Sequence, residues 1–176
     1  MCYDFFMNYI ILFEPEKPSN VGNIMRTCVA TNSKLIIVGN LSFDLNNKNL
    51  KRAGMDYVEQ LDFTYYKSLD ELFKFIDENK IYYVTRYSQN VYSEVNFKDI
   101  KEDTYLMFGK ESSGIPKKLL KIHFDRTIRI PMTVNARSLN LSNSVAIVLF
   151  EVLRQKRFFG LSIKEEIKGE DYLNNF

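Results

Sequence analysis

The stretch that decides the fold of this 176-residue chain is IRIPMTVNARSLNLSN, residues 128–143. It begins in a short apolar run that Pro131 stops, which predicts a strand over Thr127–Ile130. It ends in an apolar pattern of helical period, which predicts a long helix from about Leu141 to Phe159. Between the two lies a run of small polar or turn-prone residues. One of them, Asn140 or Ser142, is enough to cap a helix, so the run as a whole favours a ligand-binding loop.

Four further apolar runs precede this stretch and predict buried strands, because each ends at polar, proline or glycine residues. They are Tyr9–Phe13, Lys34–Val38, Ile81–Thr85 and Tyr105–Phe108. Helix-period segments separate them: an apolar stripe that follows Asn20, a short basic segment over 46–53, and Ser68–Asn79. Strands that alternate with helices predict an α/β fold with a mainly parallel sheet flanked by helices.

Local signals refine the first helix. Asn20 is a candidate N-cap. Cys28 falls on the apolar stripe, as expected for a small buried hydrophobe. The helix ends near Asn32, and asparagine tolerates the left-handed C-cap geometry that glycine usually adopts.

Composition bounds the function. Apolar residues make up 45% of the chain, charged residues 26%, and the net charge is +2, which excludes a disordered chain and a histone-like polycation. One histidine and two cysteines cannot build a His/Cys zinc cluster or a disulfide framework. We therefore expect no metal and a reducing, cytoplasmic location. No apolar run approaches the ~20 residues that a membrane span needs.

The chain divides into an N-terminal extension over residues 1–8, a single domain over residues 9–160 and a mildly acidic tail over residues 161–176. Met7 stands just before the first strand, so we expect it to be the native start.

In parallel sheets, ligands bind where the carboxyl ends of strands meet loops. The loop Gly109–Pro116 has neither the G-x-G start of a dinucleotide loop nor the G-K-[ST] end of a P-loop. Gly109 would let a ligand approach the backbone, and Glu111 could accept hydrogen bonds from it. The plainer alternative is a turn with an acidic residue at a helix start.

The loop that leads into the first helix contains Arg26, which shares a helix face with Gly22 and Ala30. Small neighbours leave room for a bulky group to reach the guanidinium, whose planar fork suits a phosphate. A solvated surface arginine is the alternative.

Three ordered blocks in these loops resemble the SPOUT class of RNA methyltransferases, and within it the small tRNA wobble-nucleotide 2′-O-methyltransferases. The blocks are Asn20-x-Gly22-Asn23-x-x-Arg26; Phe108-Gly109-x-Glu111-x-x-Gly114-Ile115-Pro116; and Ile130-Pro131-Met132 with Arg137-Ser138-Leu139-Asn140-Leu141-Ser142-Asn143. Residues 51–57, KRAGMDY, also fit that subfamily.

The resemblance implies a SPOUT fold with a deep C-terminal trefoil knot, S-adenosylmethionine (AdoMet) as cofactor, tRNA as substrate and a homodimer. By motif position, the cofactor-binding residues are Val84, Gly109, Ile130, Met132, Ser138 and Leu139. The catalytic residues are Arg26, Glu111 and Asn140.

The implied reaction is methyl transfer to a ribose 2′-OH. Arg26 is not a plausible base, because the pKa of arginine lies above ~12; we expect it to orient the ribose or a phosphate. Arg26 and Arg154 are the predicted RNA contacts. From Lys110 to Arg129 there are six basic residues and two acidic ones, which is consistent with salt-sensitive RNA binding.

Two positions depart from the family pattern. Phe150 stands where the relatives commonly have tyrosine, and Asn32 replaces a glycine. His123 has no family role and is expected to be a surface or half-buried residue. Two alternatives stay open: methylation of another tRNA or ribosomal RNA position, and a knotted RNA-binding module without turnover.

Overall fold

The computed structural model describes residues 6–44 and 63–176. The basic helix expected over 46–53 and the KRAGMDY block lie outside the described residues. Six parallel strands form one sheet in the order β3-β2-β1-β5-β4-β6, which confirms the predicted α/β class. The strands are β1 Asn8–Phe13, β2 Lys34–Val38, β3 Phe63–Tyr66, β4 Ile81–Val84, β5 Thr104–Phe108 and β6 Thr127–Ile128.

The central strands are continuous apolar runs because both faces of the sheet are covered. In β1, Ile10 and Leu12 point to one face and Ile11 to the other, and all three are fully buried. Ile11 lies in register with Ile36 on β2 and Met107 on β5. These three side chains belong to one cluster of buried apolar residues on that face of the sheet.

Four described helices flank the sheet: α1 Pro18–Ala30, α2 Leu69–Leu72, α3 Lys117–Ile122 and α4 Leu141–Gln155. The buried faces of α1 and α4 share a core cluster with Ile10 and Leu12. Leu72 of α2 and the buried leucines of α3 pack on the opposite face, with Ile11. The domain therefore has three layers, helix, sheet and helix.

The start of α1 differs from the sequence-based prediction. The helix begins at Pro18, and its N-cap position, Lys17, makes no side-chain cap hydrogen bond. Proline suits this first position because its missing N–H would have no intrahelical acceptor. Asn20 is not the N-cap: it lies inside the first turn, is 4% exposed, and its side chain bonds elsewhere.

The end of α1 confirms the expectation for Asn32, which has φ = 48°. The Ser33 amide donates to the Cys28 carbonyl at 2.9 Å, and the Asn32 amide donates to the Val29 carbonyl at 3.3 Å. This is the paired pattern of a Schellman cap. Cys28 is fully buried as expected, and burial raises the pKa of its thiol to about 12.

Three predicted elements are shorter in the structure by two residues or more. The helix predicted over Ser68–Asn79 is one α-turn, α2, which Ser68 caps; the chain then tightens, and Asp77 accepts from the Asn79 amide to start a 3₁₀ turn. Aspartate offers the backbone such local alternatives to an α-helix. The strand predicted over Thr127–Ile130 stops at Ile128, and Arg129 forms only an isolated bridge with Val91.

The last helix, expected to reach Phe159, ends at Gln155. The Gln155 side chain accepts a hydrogen bond from the Phe97 amide and donates one to the Val95 carbonyl. Arg157 and Phe158 then adopt positive φ, which an α-helix cannot accommodate. Strand β3 was not predicted; it lies at the sheet edge, with Thr64 and Tyr65 exposed.

The expectation that His123 lies at the surface or is half-buried was wrong. His123 is 4% exposed and stacks on Tyr83 with ring centroids 5.3 Å apart. Its Nε2 lies 3.1 Å from a carboxylate oxygen of Glu78. The histidine is therefore a buried residue that packs against β4. Among the described residues, no helix is long and apolar enough to cross a bilayer.

Asn32 tests the cap. Asn32→Ala places a Cβ-bearing residue without a compensating amide at positive φ, so we expect a loss of about 1 kcal/mol in the free energy of unfolding. Asn32→Gly is the matched control and should leave stability equal or higher. Urea unfolding measures both, and an alanine variant as stable as the glycine variant would contradict the strain argument.

Candidate functional site

A cavity of about 600 Å³ opens at the carboxyl ends of β4 and β5 and is closed by the segment that follows β6. Typical small-molecule sites have volumes of this order. Eight of the residues predicted from the sequence line it. They are Val84, Gly109, Glu111, Ile130, Met132, Ser138, Leu139 and Asn140.

The segment Ile130–Leu139 forms one wall. Among the described residues, one backbone–backbone hydrogen bond lies within this segment: the Ala136 amide donates to the Thr133 carbonyl. The Arg137 carbonyl accepts from Arg86 Nη1 at 2.8 Å. Most backbone groups of this wall are therefore available to a ligand. Leu139 is 40% exposed, so its apolar side chain can contact a ligand in the cavity.

The segment Lys110–Gly114 forms a tight turn on the opposite wall. The Gly114 amide donates to the Lys110 carbonyl at 2.8 Å, and Gly114 has φ = 72°. A Cβ on Gly109 would lie only 2.1 Å from the Gly114 backbone. Glycine is thus required at 109 because the backbone of the turn folds back onto it. The sequence analysis had instead explained this glycine by the approach of a ligand.

Glu111 bonds to the start of α1. Its Oε2 accepts from the Glu16 amide at 2.8 Å, and its Oε1 accepts from the Lys17 amide at 3.2 Å and from Asn20 Nδ2 at 2.7 Å. The first turn of α1 contains no acidic residue of its own. A carboxylate placed here satisfies backbone donors and interacts favourably with the positive end of the helix dipole.

The hydrogen-bond chain continues from Asn20 to α4. Asn140 Nδ2 donates to Asn20 Oδ1 at 3.0 Å. Asn140 Oδ1 in turn accepts from the Ser142 amide at 2.9 Å and the Asn143 amide at 3.4 Å, so Asn140 is the N-cap that the sequence allowed. Each amide orientation is dictated by its neighbour, which defines one direction of donation from Asn140 to Glu111. We call Glu111, Asn20 and Asn140 the central chain.

Charged contacts reinforce the same junction. Lys110 Nζ lies 2.7 Å from Glu14 Oε2, which raises the pKa of Lys110. The Glu16 carboxylate accepts hydrogen bonds from the Ser112 hydroxyl at 2.7 Å and from the Ser112 backbone amide at 2.8 Å. These two hydrogen bonds hold the pKa of Glu16 below its usual value. The two loops therefore stay ionically joined at neutral pH.

The two predicted RNA contacts do not line the cavity. Arg26 is exposed on α1. The guanidinium of Arg154 is bonded to both carboxylate oxygens of Glu151, each at 2.8 Å. Neither residue is therefore among those that the structure brings together at the cavity.

Sequence reasoning did not assign several other lining residues to the site, among them Asn20, Arg86, Tyr87 and Lys117. Arg86 and Tyr87 were detectable in principle, because they directly follow the carboxyl end of a predicted strand.

A family model described as the SpoU rRNA Methylase family matches residues 7–150. The chain belongs to the SpoU methylase family. Its match covers the sheet, both walls of the cavity and most of α4, so the resemblance to SPOUT-class methyltransferases is confirmed.

Two relatives share most of their length with this chain. A protein of Geobacillus stearothermophilus, provisionally named for tRNA cytidine(34) 2'-O-methylation, is 46% identical over 154 residues, which cover 88% of this chain and 98% of the relative. The tRNA (cytidine(34)-2'-O)-methyltransferase of Saccharophagus degradans is 39% identical over 152 residues, 86% of this chain and 97% of its own.

Two solved structures are similar to this chain in sequence and in fold. One described as "Structural insights into the 2-OH methylation of C/U34 on tRNA" has a TM-score of 0.78 at 32% identity, covering 85% of this chain and 96% of that one. An AdoMet-bound rRNA methyltransferase from Sinorhizobium meliloti has a TM-score of 0.74 at 25% identity, covering 86% and 59%.

Glu111 tests the central chain. Glu111→Ala leaves the Glu16 and Lys17 amides and the Asn20 side chain without their acceptor, so we expect a loss of about 2 kcal/mol in the free energy of unfolding. AdoMet affinity should fall with it, since both walls of the cavity are joined here. Urea unfolding and calorimetric titration with AdoMet measure these effects.

Glu94→Ala is the control, because Glu94 is an exposed glutamate of the β4–β5 segment. Its stability should change by less than about 0.5 kcal/mol. Equal stability of the two variants would show that Glu111 does not organise the site.

Proposed function

We propose that this protein is an AdoMet-dependent methyltransferase that modifies the ribose 2′-OH of the wobble nucleotide, cytidine or uridine 34, of tRNA. The observation that carries the proposal is that all six predicted cofactor residues line the same cavity as Glu111 and Asn140. The relatives and the solved structure named for position 34 support the choice of nucleotide.

The cavity fits AdoMet by the chemistry of its walls. Apolar side chains at Val84, Ile130 and Leu139 can enclose a flat adenine, and the available backbone groups of Ile130–Leu139 can bond its edge. Polar side chains such as Glu111, Ser138 and Asn140 line the same cavity, and they can fix the orientation of a bound cofactor. When bound, AdoMet would supply an activated methyl group on a sulfonium, so the protein needs no nucleophile of its own.

The protein's own residues would then act mainly by position. Methyl transfer requires the attacking oxygen to line up with the methyl group, and correct placement supplies much of the rate. The central chain fixes both walls of the cavity relative to α1. Glu111 and Asn140, proposed as catalytic, would contribute by holding this geometry and any group that the cavity receives.

Arg26 would act at the RNA rather than at the cofactor. It is exposed on α1, which the central chain holds against the cavity. From there its guanidinium would orient the ribose or a neighbouring phosphate and stabilise negative charge that develops on the 2′ oxygen. Arg154 would add a weaker contact to the RNA backbone, since Glu151 already pairs with it.

We also propose that the chain carries the trefoil knot of SPOUT proteins. Two contacts support it. Gln155 at the end of α4 bonds to Val95 and Phe97 of the β4–β5 segment, while α4 packs on α1 and β5 on its other sides. The last helix thus lies between the sheet and an earlier connecting segment, as threading would require.

A homodimer is proposed as the working form. Ile147 and Phe150 of α4 are 36% and 48% exposed, on a helix whose other face is buried in the core. A second copy packed there would cover both side chains. We also propose a cytoplasmic location, because tRNA is the proposed substrate.

The proposed activity predicts a change at one nucleotide. Deleting the gene should abolish 2′-O-methylation at position 34 in the substrate tRNAs, as measured by mass mapping of total tRNA, and the purified protein with AdoMet should restore it. Loss at another tRNA or ribosomal RNA position would select the alternative target. No loss anywhere would favour a binding module without turnover.

Arg26→Ala should lower kcat on saturating RNA by roughly 100-fold or more, because a donor to developing charge is removed. AdoMet affinity should stay unchanged, since Arg26 does not line the cavity. Arg26→Lys retains the charge and should recover part of the rate. Wild-type turnover by Arg26→Ala on saturating RNA would contradict the assignment.

A further inference from the structure

Tyr87 is an exposed aromatic side chain at the rim of the cavity. It lies in the turn that follows β4 and is 58% exposed. Its amide donates to Thr85 Oγ1 at 3.3 Å, which fixes the turn against the end of the strand. Of the exposed aromatic side chains in residues 6–44 and 63–176, Tyr87 alone lines the cavity.

Two cations lie close to the Tyr87 ring. Lys117 Nζ lies 4.3 Å from the ring centroid, and the guanidinium carbon of Arg86 lies 5.9 Å from it. Both distances are within the range of cation–π attraction. A tyrosine with a lysine and an arginine close to its ring is a poor surface for an apolar partner, but it suits a flat group that is linked to phosphates.

The same two cations are anchored to the cavity walls. Lys117 Nζ donates to the Ser113 carbonyl at 3.0 Å, and Arg86 Nη1 donates to the Arg137 carbonyl at 2.8 Å. The ring is therefore placed at a defined position relative to both loops. A group stacked on Tyr87 would be positioned with respect to the reacting methyl group.

Unpaired nucleobases have the matching chemistry. Bases stack on tyrosine whatever their sequence, and adjacent lysine and arginine side chains attract the phosphates that link them. The adenine of the cofactor is a less suitable occupant, because the apolar side chains of Val84, Ile130 and Leu139 in the same cavity can enclose it.

We propose that Tyr87, with Lys117 and Arg86, is a stacking platform for an unpaired base of the RNA substrate within one nucleotide of the methylated ribose. The inference rests on the proposed function and deepens it. Tyr87 would act as a positioning residue: it places the RNA while other groups act on the hydroxyl.

The test compares the affinity of wild-type protein and three variants for an anticodon stem-loop RNA. Tyr87→Ala and Tyr87→Leu should raise the Kd and the KM for RNA by about 5- to 100-fold, the usual range for loss of one stacked base. Tyr87→Phe keeps the ring and should stay within about twofold of wild type. AdoMet affinity and thermal stability should not change in any of them.

The chain offers a matched control. Tyr172 in the tail also has a lysine over its ring, Lys168 Nζ at 4.5 Å, but it does not line the cavity. Tyr172→Ala should bind RNA like wild type. A 2-aminopurine placed beside nucleotide 34 should lose fluorescence on binding wild type and Tyr87→Phe, and keep it with Tyr87→Leu.

The outcomes separate the two proposals. If wild-type protein methylates position 34 and Tyr87→Ala keeps the wild-type KM and Kd, the platform is wrong and the activity stands. If methylation falls on another RNA, the same comparison on that RNA decides the platform. A fall in AdoMet affinity alone would assign Tyr87 to the cofactor instead, and failure of wild type to bind any RNA would overturn both.

Discussion

The Glu111 carboxylate, bonded to the start of α1, is the contact on which the site depends. Loops at one edge of a parallel sheet share no backbone ladder, so side chains must set their relative positions. Glu111 takes the donors of Glu16, Lys17 and Asn20, and Asn20 then bonds Asn140 at the start of α4. The carboxylate of Glu111 accepts from a helix start that has no side-chain cap of its own. In this way it joins three segments that are distant in sequence.

The same contacts limit what these side chains do in catalysis. Both Glu111 oxygens accept hydrogen bonds from the protein, and the Asn140 oxygen accepts from the amides of α4. Asn20 is 4% exposed, and a buried amide without partners would be costly. If Glu111 left these contacts to accept a proton, the Glu16 and Lys17 amides and the Asn20 side chain would lose their acceptor. This favours organisation of the cavity, rather than proton transfer, as their contribution.

The sequence predicted the elements whose signals are local. The apolar runs of β1, β2 and β5 reflect burial on two faces, and Asn32 could be assigned because its backbone geometry depends on one residue. The failures have distant causes. Asn20 resembles a cap, yet its partner is 91 positions away. Gly109 is needed because the turn returns onto it. His123 is buried because Tyr83 stacks on it. None of these contacts has a local signature.

Charge at the site shows why a sum over a segment misleads. The six basic residues from Lys110 to Arg129 are consistent with RNA binding, but Lys110 among them is paired with Glu14, and Arg154, a predicted RNA contact farther along, is paired with Glu151. An ion pair cancels most of the field of both partners at a distance. Lys117 and Arg86 instead bond to neutral carbonyls, which orient the cations and leave their charge intact. A chain with a net charge of only +2 can thus concentrate its attraction for phosphate at the cavity mouth, beside the one exposed ring in the described residues that lines it.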